Sequence, residues 1–325
     1  MYKFTHKNAT TVAAAAALLA GGKAKVVAGN TDLITYMRGM FTPNPPDTLV
    51  NIKTIPGLVY IREESNVLKI GALTTLTAVA ESSLVKDKYT ALAEAARHVG
   101  SLELRNVGTI GGNICQKPRC RYYRHDFNDF DCLRKNPQGL CFALAGVNRE
   151  HSIFGATNGC VAICPSDVAP ALVALGASIV TSKKTWAAAD FFAIPSDARR
   201  EQINSLDADE IVTEIQVPAP AAGTKSTYLK FAFRKAIDFP LVSAAVVTTS
   251  SGGNVTASSI VLGGVHNSPR VATAAQTSIV GKAIDATTAD AAGTAAITGA
   301  TALPQNGYKR QVAKTLVKRG LLATR

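Results

Sequence analysis

The chain carries all of its six cysteines within one stretch of residues 115–164. Thiolates are ligands for zinc and for iron–sulfur clusters. The gaps between Cys120, Cys132, Cys141 and Cys160 are wider than in a zinc finger or a ferredoxin run, where ligands lie about two residues apart. From spacing alone, these four residues could hold a cluster, hold zinc, or remain unliganded. We interpret the other two, Cys115 and Cys164, as small buried side chains.

Basic residues in the same stretch could offset the negative charge of such a cluster. They are Arg119, Arg121, Arg124, Arg134 and Lys135.

Two glycine-containing turns could bind a phosphate group. Gly29-Asn30-Thr31-Asp32 follows an apolar run and precedes a helical pattern, and Thr109-Ile110-Gly111-Gly112-Asn113 comes just before the cysteines. Successive backbone N–H groups at a helix start suit a pyrophosphate, and adjacent glycines allow close approach. Each turn alone also fits an ordinary capped helix start, but two in one α/β region favour a dinucleotide. Neither matches G-x-G-x-x-G, so a Rossmann domain is not indicated.

The remaining polar residues indicate no other catalytic site. His98, His125, His151 and His266 are dispersed, with no triad or metal-ligand spacing, and each is interpreted as a surface or core residue. We therefore expect the chemistry to come from bound cofactors.

The composition excludes several classes of protein. The net charge is +12, but the basic residues are scattered and form no run of five, so we do not expect nucleic-acid binding. No window of about 18 apolar residues predicts a membrane span. Residues 1–20 resemble a signal peptide superficially, but their alternation and capping favour a strand and a helix of the mature protein. We therefore expect a reducing, cytoplasmic compartment with thiols and not disulfides.

The elements that would position these residues form three units. Residues 1–55 predict a small α/β unit, with strands starting near residue 3 and at 25–28 and 48–52, and helices at 11–20 and 33–40. Residues 56–217 form a second unit, in which the cysteine-rich segment at about 115–164 is an insertion. Its predicted elements are a hairpin at 57–62 and 67–70, strands at 177–181 and 211–217, and helices at 75–82, 91–99, 168–175 and 187–192.

The third unit follows a linker at 218–223 and spans residues 224–325. Antiparallel strands and a set of helices are predicted for it. The strands are 226–234, 243–250 and 255–262, and the helices are 272–280, 286–297 and 309–322.

Several motifs together resemble a known family, the FAD-binding medium subunits of molybdenum hydroxylases such as xanthine dehydrogenases, carbon monoxide dehydrogenases and aldehyde oxidoreductases. The similarity covers nearly the whole chain, although Asn30 stands where many members carry a second glycine. It is carried by Val26-Val27-Ala28-Gly29-Asn30-Thr31-Asp32-Leu33, by the 109–113 turn, by Pro165-Ser166-Asp167, by Ile70-Gly71-Ala72-Leu73, by Asp209-Glu210-Ile211-Val212, and by residues 230–238 and 241–244.

The long cysteine-rich segment resembles that of the branch found in periplasmic aldehyde oxidoreductases and 4-hydroxybenzoyl-CoA reductases, in which four cysteines hold a [4Fe–4S] cluster. The resemblance implies that the ligands are Cys120, Cys132, Cys141 and Cys160.

The resemblance also implies an α+β fold, with two vanillyl-alcohol-oxidase-like (PCMH-like) FAD-binding subdomains followed by a C-terminal α+β domain with a small antiparallel sheet. The first turn would hold the FAD pyrophosphate. The second turn and the Ser-Asp pair would hold the diphosphate and ribityl region, and two further residues would contact the flavin ring. These positions are Val26, Val27, Ala28, Gly29, Asn30, Thr31, Asp32, Leu33; Thr109, Gly112, Asn113, Ser166, Asp167; and Val212 and Lys230.

By the same resemblance, the chain is one subunit of a heterotrimer with a molybdopterin-binding large subunit and a [2Fe–2S] small subunit. Electrons would pass between [2Fe–2S] clusters and an external acceptor through FAD, and the complex would be cytoplasmic or exported with a partner. Two alternatives stay open: a stand-alone flavoprotein oxidase and a zinc-stabilised scaffold without catalytic activity.

Overall fold

The computed structural model describes residues 1–193 and 203–325. Its first unit is a three-stranded parallel sheet with strand order β1-β3-β2. Parallel neighbours require crossover connections, and two short helices supply them. The strands are β1 (Thr5–Asn8), β2 (Ala24–Val27) and β3 (Thr48–Asn51), and the helices are α1 (Val12–Leu19) and α2 (Leu33–Gly39).

Local sequence explains the first helix. Thr11 is its N-cap, and the Thr11 side chain accepts a hydrogen bond from the backbone N–H of Ala14, as its residue type predicts. Ala15 and Leu19 then pack against Val50 and Ile52, which anchors the helix on the sheet.

The second unit contains a five-stranded sheet with order β4-β5-β8-β6-β7, paired antiparallel throughout. The predicted hairpin forms, but its turn is tighter than expected. Ser65 and Asn66 have positive φ values of 53° and 60°, as a two-residue turn requires, so the first strand extends through Glu64. The strands are β4 (Ile61–Glu64), β5 (Val67–Gly71), β6 (Ser178–Thr181), β7 (Thr185–Ala187) and β8 (Val212–Pro218).

Seven helices accompany this sheet in the described residues, and three of them were not predicted. The unpredicted α4, α6 and α7 are short and begin at capping hydroxyls, those of Ser82, Ser101 and Thr109. The helices are α3 (Leu76–Glu81), α4 (Ser83–Lys88), α5 (Thr90–Arg97), α6 (Leu102–Val107), α7 (Ile110–Ile114), α8 (Val168–Ala174) and α9 (Ala188–Phe191).

The cysteine-rich segment (residues 115–164) has little regular structure. It contains one 3₁₀ helix, Asp126–Asn128, and bridges such as the pairing of Cys132 with Leu140. Its conformation therefore depends on side-chain packing.

The C-terminal unit is a four-stranded antiparallel sheet with order β12-β11-β10-β9, covered by helices. Tyr228, Ala245 and Val261 of this sheet share a buried core with α5 and α8, so the unit packs directly on the second one. The mixed architecture with a C-terminal antiparallel sheet is confirmed. Its elements are β9 (Thr224–Phe231), β10 (Val242–Ser251), β11 (Asn254–Gly263), β12 (Arg270–Val271), α10 (Thr273–Ile279), α11 (Ala286–Ala295) and α12 (Tyr308–Ala323).

Candidate functional site

The two glycine turns pack against each other, backbone on backbone. A Cβ atom placed on Gly29 would lie 2.2 Å from the carbonyl oxygen of Val107 and 2.9 Å from Cα of Gly108. Thr109 follows at once and caps α7, with its Oγ1 accepting from Gly112 N at 3.1 Å. Two segments far apart in the sequence therefore form one backbone surface, in which the N–H groups of residues 110–113 already donate within the chain.

This surface opens into a cavity of about 520 Å³, within the range of pockets that enclose a cofactor-sized ligand. Most of the residues expected at a flavin line it. They are Val26, Ala28, Gly29, Asn30, Thr31, Asp32, Leu33, Thr109, Gly112, Asn113 and Val212.

Four expected residues do not line this cavity. Val27 is buried in β2 and faces a smaller cavity on the other side of the turn. Ser166, Asp167 and Lys230 stand behind the cavity wall, where Ser166 Oγ donates to Asn113 Oδ1 at 2.6 Å. Asp167 accepts hydrogen bonds from Tyr228 and Lys230. Burial raises the pKa of Asp167, and its ion pair with Lys230 opposes that shift.

Asn30 supports the presence of a polar ligand in the cavity. Its backbone is left-handed, with φ of 61°, which asparagine tolerates better than most residues. Its side-chain Oδ1 is buried and finds no hydrogen-bond partner within residues 1–193 and 203–325. A buried oxygen without a partner costs about 1–3 kcal/mol. A bound molecule with hydroxyl or amide donors would remove that cost, so the lining fits a dinucleotide.

Beside this cavity, the structure brings the four candidate ligand cysteines together. Cys120, Cys141 and Cys160 border one small apolar core, and Cys132 shares a second core with Cys120. All four are free thiols. Burial raises the pKa of Cys120 to about 12, and the neighbouring Cys160 and Cys132 add to this effect. Thiols forced together in this way are stabilised as thiolates by a bound metal centre.

Two side chains contact the sulfur atoms directly. The Nε atom of Arg134 donates to Cys160 Sγ at 2.9 Å, and the His151 Nε2 atom lies 3.2 Å from Cys120 Sγ. Burial lowers the pKa of His151 to about 4. Sequence reasoning assigned His151 to the surface or core; it is indeed buried, but its contact with a cysteine 31 positions away was missed.

The other four basic residues expected to offset cluster charge form contacts with other groups. Arg119 and Arg124 pair with Asp32, Arg121 pairs with Glu150 at the surface, and Lys135 Nζ donates to the carbonyl oxygen of Phe41. Of the basic residues proposed to offset cluster charge, Arg134 has a direct hydrogen bond to a thiol.

The remaining two cysteines lie apart from this group. Cys164 is buried in the core of the second unit, as expected, and Cys115 borders that core and lines the large cavity. Burial raises the pKa of each thiol to about 12.

No set of three or more His, Cys, Asp or Glu side chains in the described residues is arranged to hold a single metal ion. Among the same residues, no helix is long and apolar enough to cross a membrane.

Comparison with known proteins decides the family. Residues 2–220 match the family described as "FAD binding domain in molybdopterin dehydrogenase", and residues 227–324 match "CO dehydrogenase flavoprotein C-terminal domain". The chain belongs to this flavoprotein family. It is thus an FAD-binding subunit of the oxidoreductase class, and the predicted family is confirmed.

Curated relatives of the flavoprotein family cover most of the chain. The aldehyde oxidoreductase FAD-binding subunit PaoB of Escherichia coli is 32% identical over 83% of each protein. The carbon monoxide dehydrogenase medium chain of Hydrogenophaga pseudoflava is 30% identical, over 99% of this chain and 96% of the relative.

Solved structures agree with this assignment. A carbon monoxide dehydrogenase structure from H. pseudoflava superposes with a TM-score of 0.75 at 28% identity and covers 99% of this chain and 97% of that one. A Cu,Mo-CO dehydrogenase structure gives a TM-score of 0.76 at 26% identity, with 100% of both chains covered.

Proposed function

We propose that this chain is the FAD- and [4Fe–4S]-binding electron-transfer subunit of a heterotrimeric molybdenum hydroxylase that oxidises aldehydes, N-heterocycles or aromatic compounds. One observation carries the proposal: four free cysteines converge beside the cavity of an FAD-binding family member. Aldehyde oxidoreductase and carbon monoxide dehydrogenase subunits among the relatives support the reaction class.

In the flavin site, the 29–32 turn would bind the cofactor's phosphates through backbone N–H groups at the start of α2. Thr109, Gly112 and Asn113 of the second turn would contact the cofactor from the cavity wall. Asn30 would accept a hydrogen bond from the ligand at its buried Oδ1. Ser166 holds Asn113 in place from behind, and Asp167 and Lys230 brace the wall on that side. FAD, when bound, exchanges electrons singly or in pairs, and the protein supplies its placement and electrostatic surroundings.

In the cysteine site, Cys120, Cys132, Cys141 and Cys160 would be the ligands of the [4Fe–4S] cluster. Arg134 and His151 would donate hydrogen bonds to two of the sulfur atoms. Such bonds fix ligand orientation and reduce the electron density on sulfur, which sets how readily a cluster accepts an electron.

An exposed apolar surface near the cavity supports the presence of partner subunits. Helix α6 buries none of its residues, and its Leu102 and Val107 are 51% and 54% exposed. Phe233 and Ile237, in the loop after β9, are 66% and 50% exposed. Exposed apolar groups of this size are typical of interaction surfaces. We assign this surface to the complex with the molybdopterin-binding and [2Fe–2S] subunits, which would be cytoplasmic or exported together.

Visible spectroscopy of the complex tests the proposal. We expect the chain, co-expressed with its partner subunits and purified anaerobically, to show flavin and iron–sulfur absorption that dithionite bleaches. Iron and sulfide analysis should give four of each per chain above the partners' content, as a [4Fe–4S] cluster requires. Flavin without the extra iron would overturn the cluster assignment. A colourless protein with bound zinc would instead support the scaffold alternative. A flavoprotein that oxidises substrate without partner subunits would support the oxidase alternative.

A further inference from the structure

The side chain of Asp32 is bound by the cysteine-rich segment and not by its own helix. Asp32 is the N-cap of α2, yet its carboxylate makes no capping hydrogen bond. Instead its Oδ1 lies 2.9 Å from Arg119 and 2.6 Å from Arg124, and its Oδ2 accepts from the backbone N of Lys117 at 2.9 Å. Burial acts to raise the pKa of Asp32, but the two arginines outweigh it and hold the pKa below its usual value.

The other end of α2 is bound by the same segment. The Nζ atom of Lys135 donates to the carbonyl oxygen of Phe41 at 3.0 Å, just beyond the end of the helix. The Phe41 ring contacts Tyr123 edge-on at 5.7 Å and lies 5.4 Å from the Arg124 guanidinium. The position of α2, and of the 29–32 turn that precedes it, therefore depends on the conformation of the cysteine-rich segment.

Arg119 connects the two sites most directly. It precedes the candidate ligand Cys120, and it also lines the dinucleotide cavity. Its guanidinium packs 4.4 Å from the ring of Phe239, a residue of the loop after β9 that lines the same cavity. A movement of Cys120 would thus displace a side chain in the cavity wall.

We propose that Arg119 and Arg124 are positioning residues for the dinucleotide turn, and that through Asp32 they couple FAD binding to occupation of the four-cysteine site. The inference rests on the proposed function. The segment has little regular structure of its own, so a metal centre that joins its four thiols would order it. That ordering fixes the two arginines and hence the turn. By linkage, FAD must strengthen retention of the cluster by the same factor.

The first measurement is the affinity for FAD with and without the cluster. FAD is titrated into flavin-depleted complex, once with cluster-loaded wild type and once with the C132S/C141S variant. We expect the dissociation constant to be about tenfold higher in the variant, within the range typical of coupled sites. Equal constants within about twofold would overturn the coupling. Failure of the proposed function has a different signature, because wild type would then lack the extra iron.

The second measurement locates the coupling in the arginines. R124Q should keep its iron and bind FAD more weakly than wild type. In the R124Q background, removing the cluster with C132S/C141S should change the FAD dissociation constant by only about twofold. R124K should restore part of that difference, since it retains a positive charge near Asp32. R149Q removes a positive charge from the surface of the same segment and should behave as wild type. Thermal unfolding confirms that each variant is folded. If folded R124Q showed the same change in FAD dissociation constant on loss of the cluster as wild type, the role of Arg124 would be contradicted.

Discussion

Lys230 and Asp167 form an ion pair of 2.8 Å in which the two side chains are only 5% and 2% exposed. Lys230 Nζ also donates to the carbonyl oxygen of His98, so the pair joins β9 to the end of α5 and the start of α8. Removing one partner of a buried pair leaves an uncompensated charge, which costs about 3–5 kcal/mol.

We therefore expect K230M to lower the melting temperature markedly and to weaken FAD binding, because Asp167 adjoins Ser166 and Asn113 behind the cavity. R234Q is the matched control, since Arg234 pairs with Asp238 while 73% exposed. Exposed pairs contribute about 0–1 kcal/mol. Similar melting temperatures for the two variants would contradict the structural role of the buried pair.

Gly29 is required by the contact between the two turns. In G29A the new methyl group would meet the Val107 carbonyl oxygen at 2.2 Å, so the turns must separate. We expect a loss of FAD affinity of about tenfold or more and a stability loss of about 1–3 kcal/mol. Gly21 has open space around its Cβ position, and G21A is the control. Flavin content and thermal melts measure both effects; unchanged FAD binding in G29A would refute the packing of the turns.

Replacement of Cys132 or Cys141 by serine should remove the iron–sulfur absorption and the extra iron of the chain. Each of these thiols borders the cysteine cores, and a four-thiolate site does not tolerate the loss of a ligand. C164S is the control, because Cys164 lies in the core of the second unit. Retention of four iron atoms per chain in C132S and C141S would disprove their assignment as ligands.

Arg134 should raise the reduction potential of the proposed [4Fe–4S] cluster. Its positive charge and its hydrogen bond to Cys160 favour the more negative, reduced state. We expect R134Q to have a lower midpoint potential in a dithionite titration followed by electron paramagnetic resonance. For a one-electron couple, a tenfold change in the equilibrium corresponds to about 59 mV. The surface variant R149Q should not shift the midpoint potential. An unchanged midpoint potential in iron-loaded R134Q would contradict the proposed effect of Arg134.

Lys309 should make stability depend on pH. Its Nζ atom is fully buried and lies 2.8–3.0 Å from the backbone oxygens of Glu150, His151 and Gly264. Burial lowers the pKa of Lys309 to about 7 from an ordinary value of 10.5. Between pH 7 and pH 10.5, Lys309 is protonated to a greater extent in the unfolded chain than in the folded chain. Its contribution to the free energy of unfolding therefore rises with pH.

The stability of wild type relative to K309M should accordingly increase from pH 7 to pH 9. Urea unfolding at each pH measures the difference. K318Q, at a partly exposed position on the same helix, should show no comparable trend. A constant difference between wild type and K309M across this range would contradict the shifted pKa.

Local signals were sufficient to predict much of the fold. The Thr11 cap, the 57–70 hairpin and the Gly252-Gly253 turn, whose glycines have φ of 59° and 83°, each depend on nearby residues. Helix α7 was missed because adjacent glycines disfavour helix; the Thr109 cap, close packing of Gly111 on Ala72 and burial of Ile110 and Ile114 in the core hold it. The predicted strand over 226–234 ends early, at Phe231, whose carbonyl oxygen accepts from the backbone N of Leu241 and closes a loop between β9 and β10.

The candidate site was predictable in its residue types but not in its contacts. The glycine turns and cysteines were visible as patterns, whereas the pairing of Asp32 with Arg124 joins residues 92 positions apart. The contact of His151 with Cys120 likewise depends on the path of a segment without periodic structure. Such contacts are fixed by packing and charge in three dimensions, for which one sequence contains no local signal.

Helix α6 presents Leu102, Leu104 and Val107 to the solvent and contributes no side chain to any core. In the proposed complex the partner subunits would cover this apolar surface, so a copy of this chain made in excess of them would keep it exposed. Balanced synthesis of the proposed subunits would therefore limit aggregation of this chain before assembly.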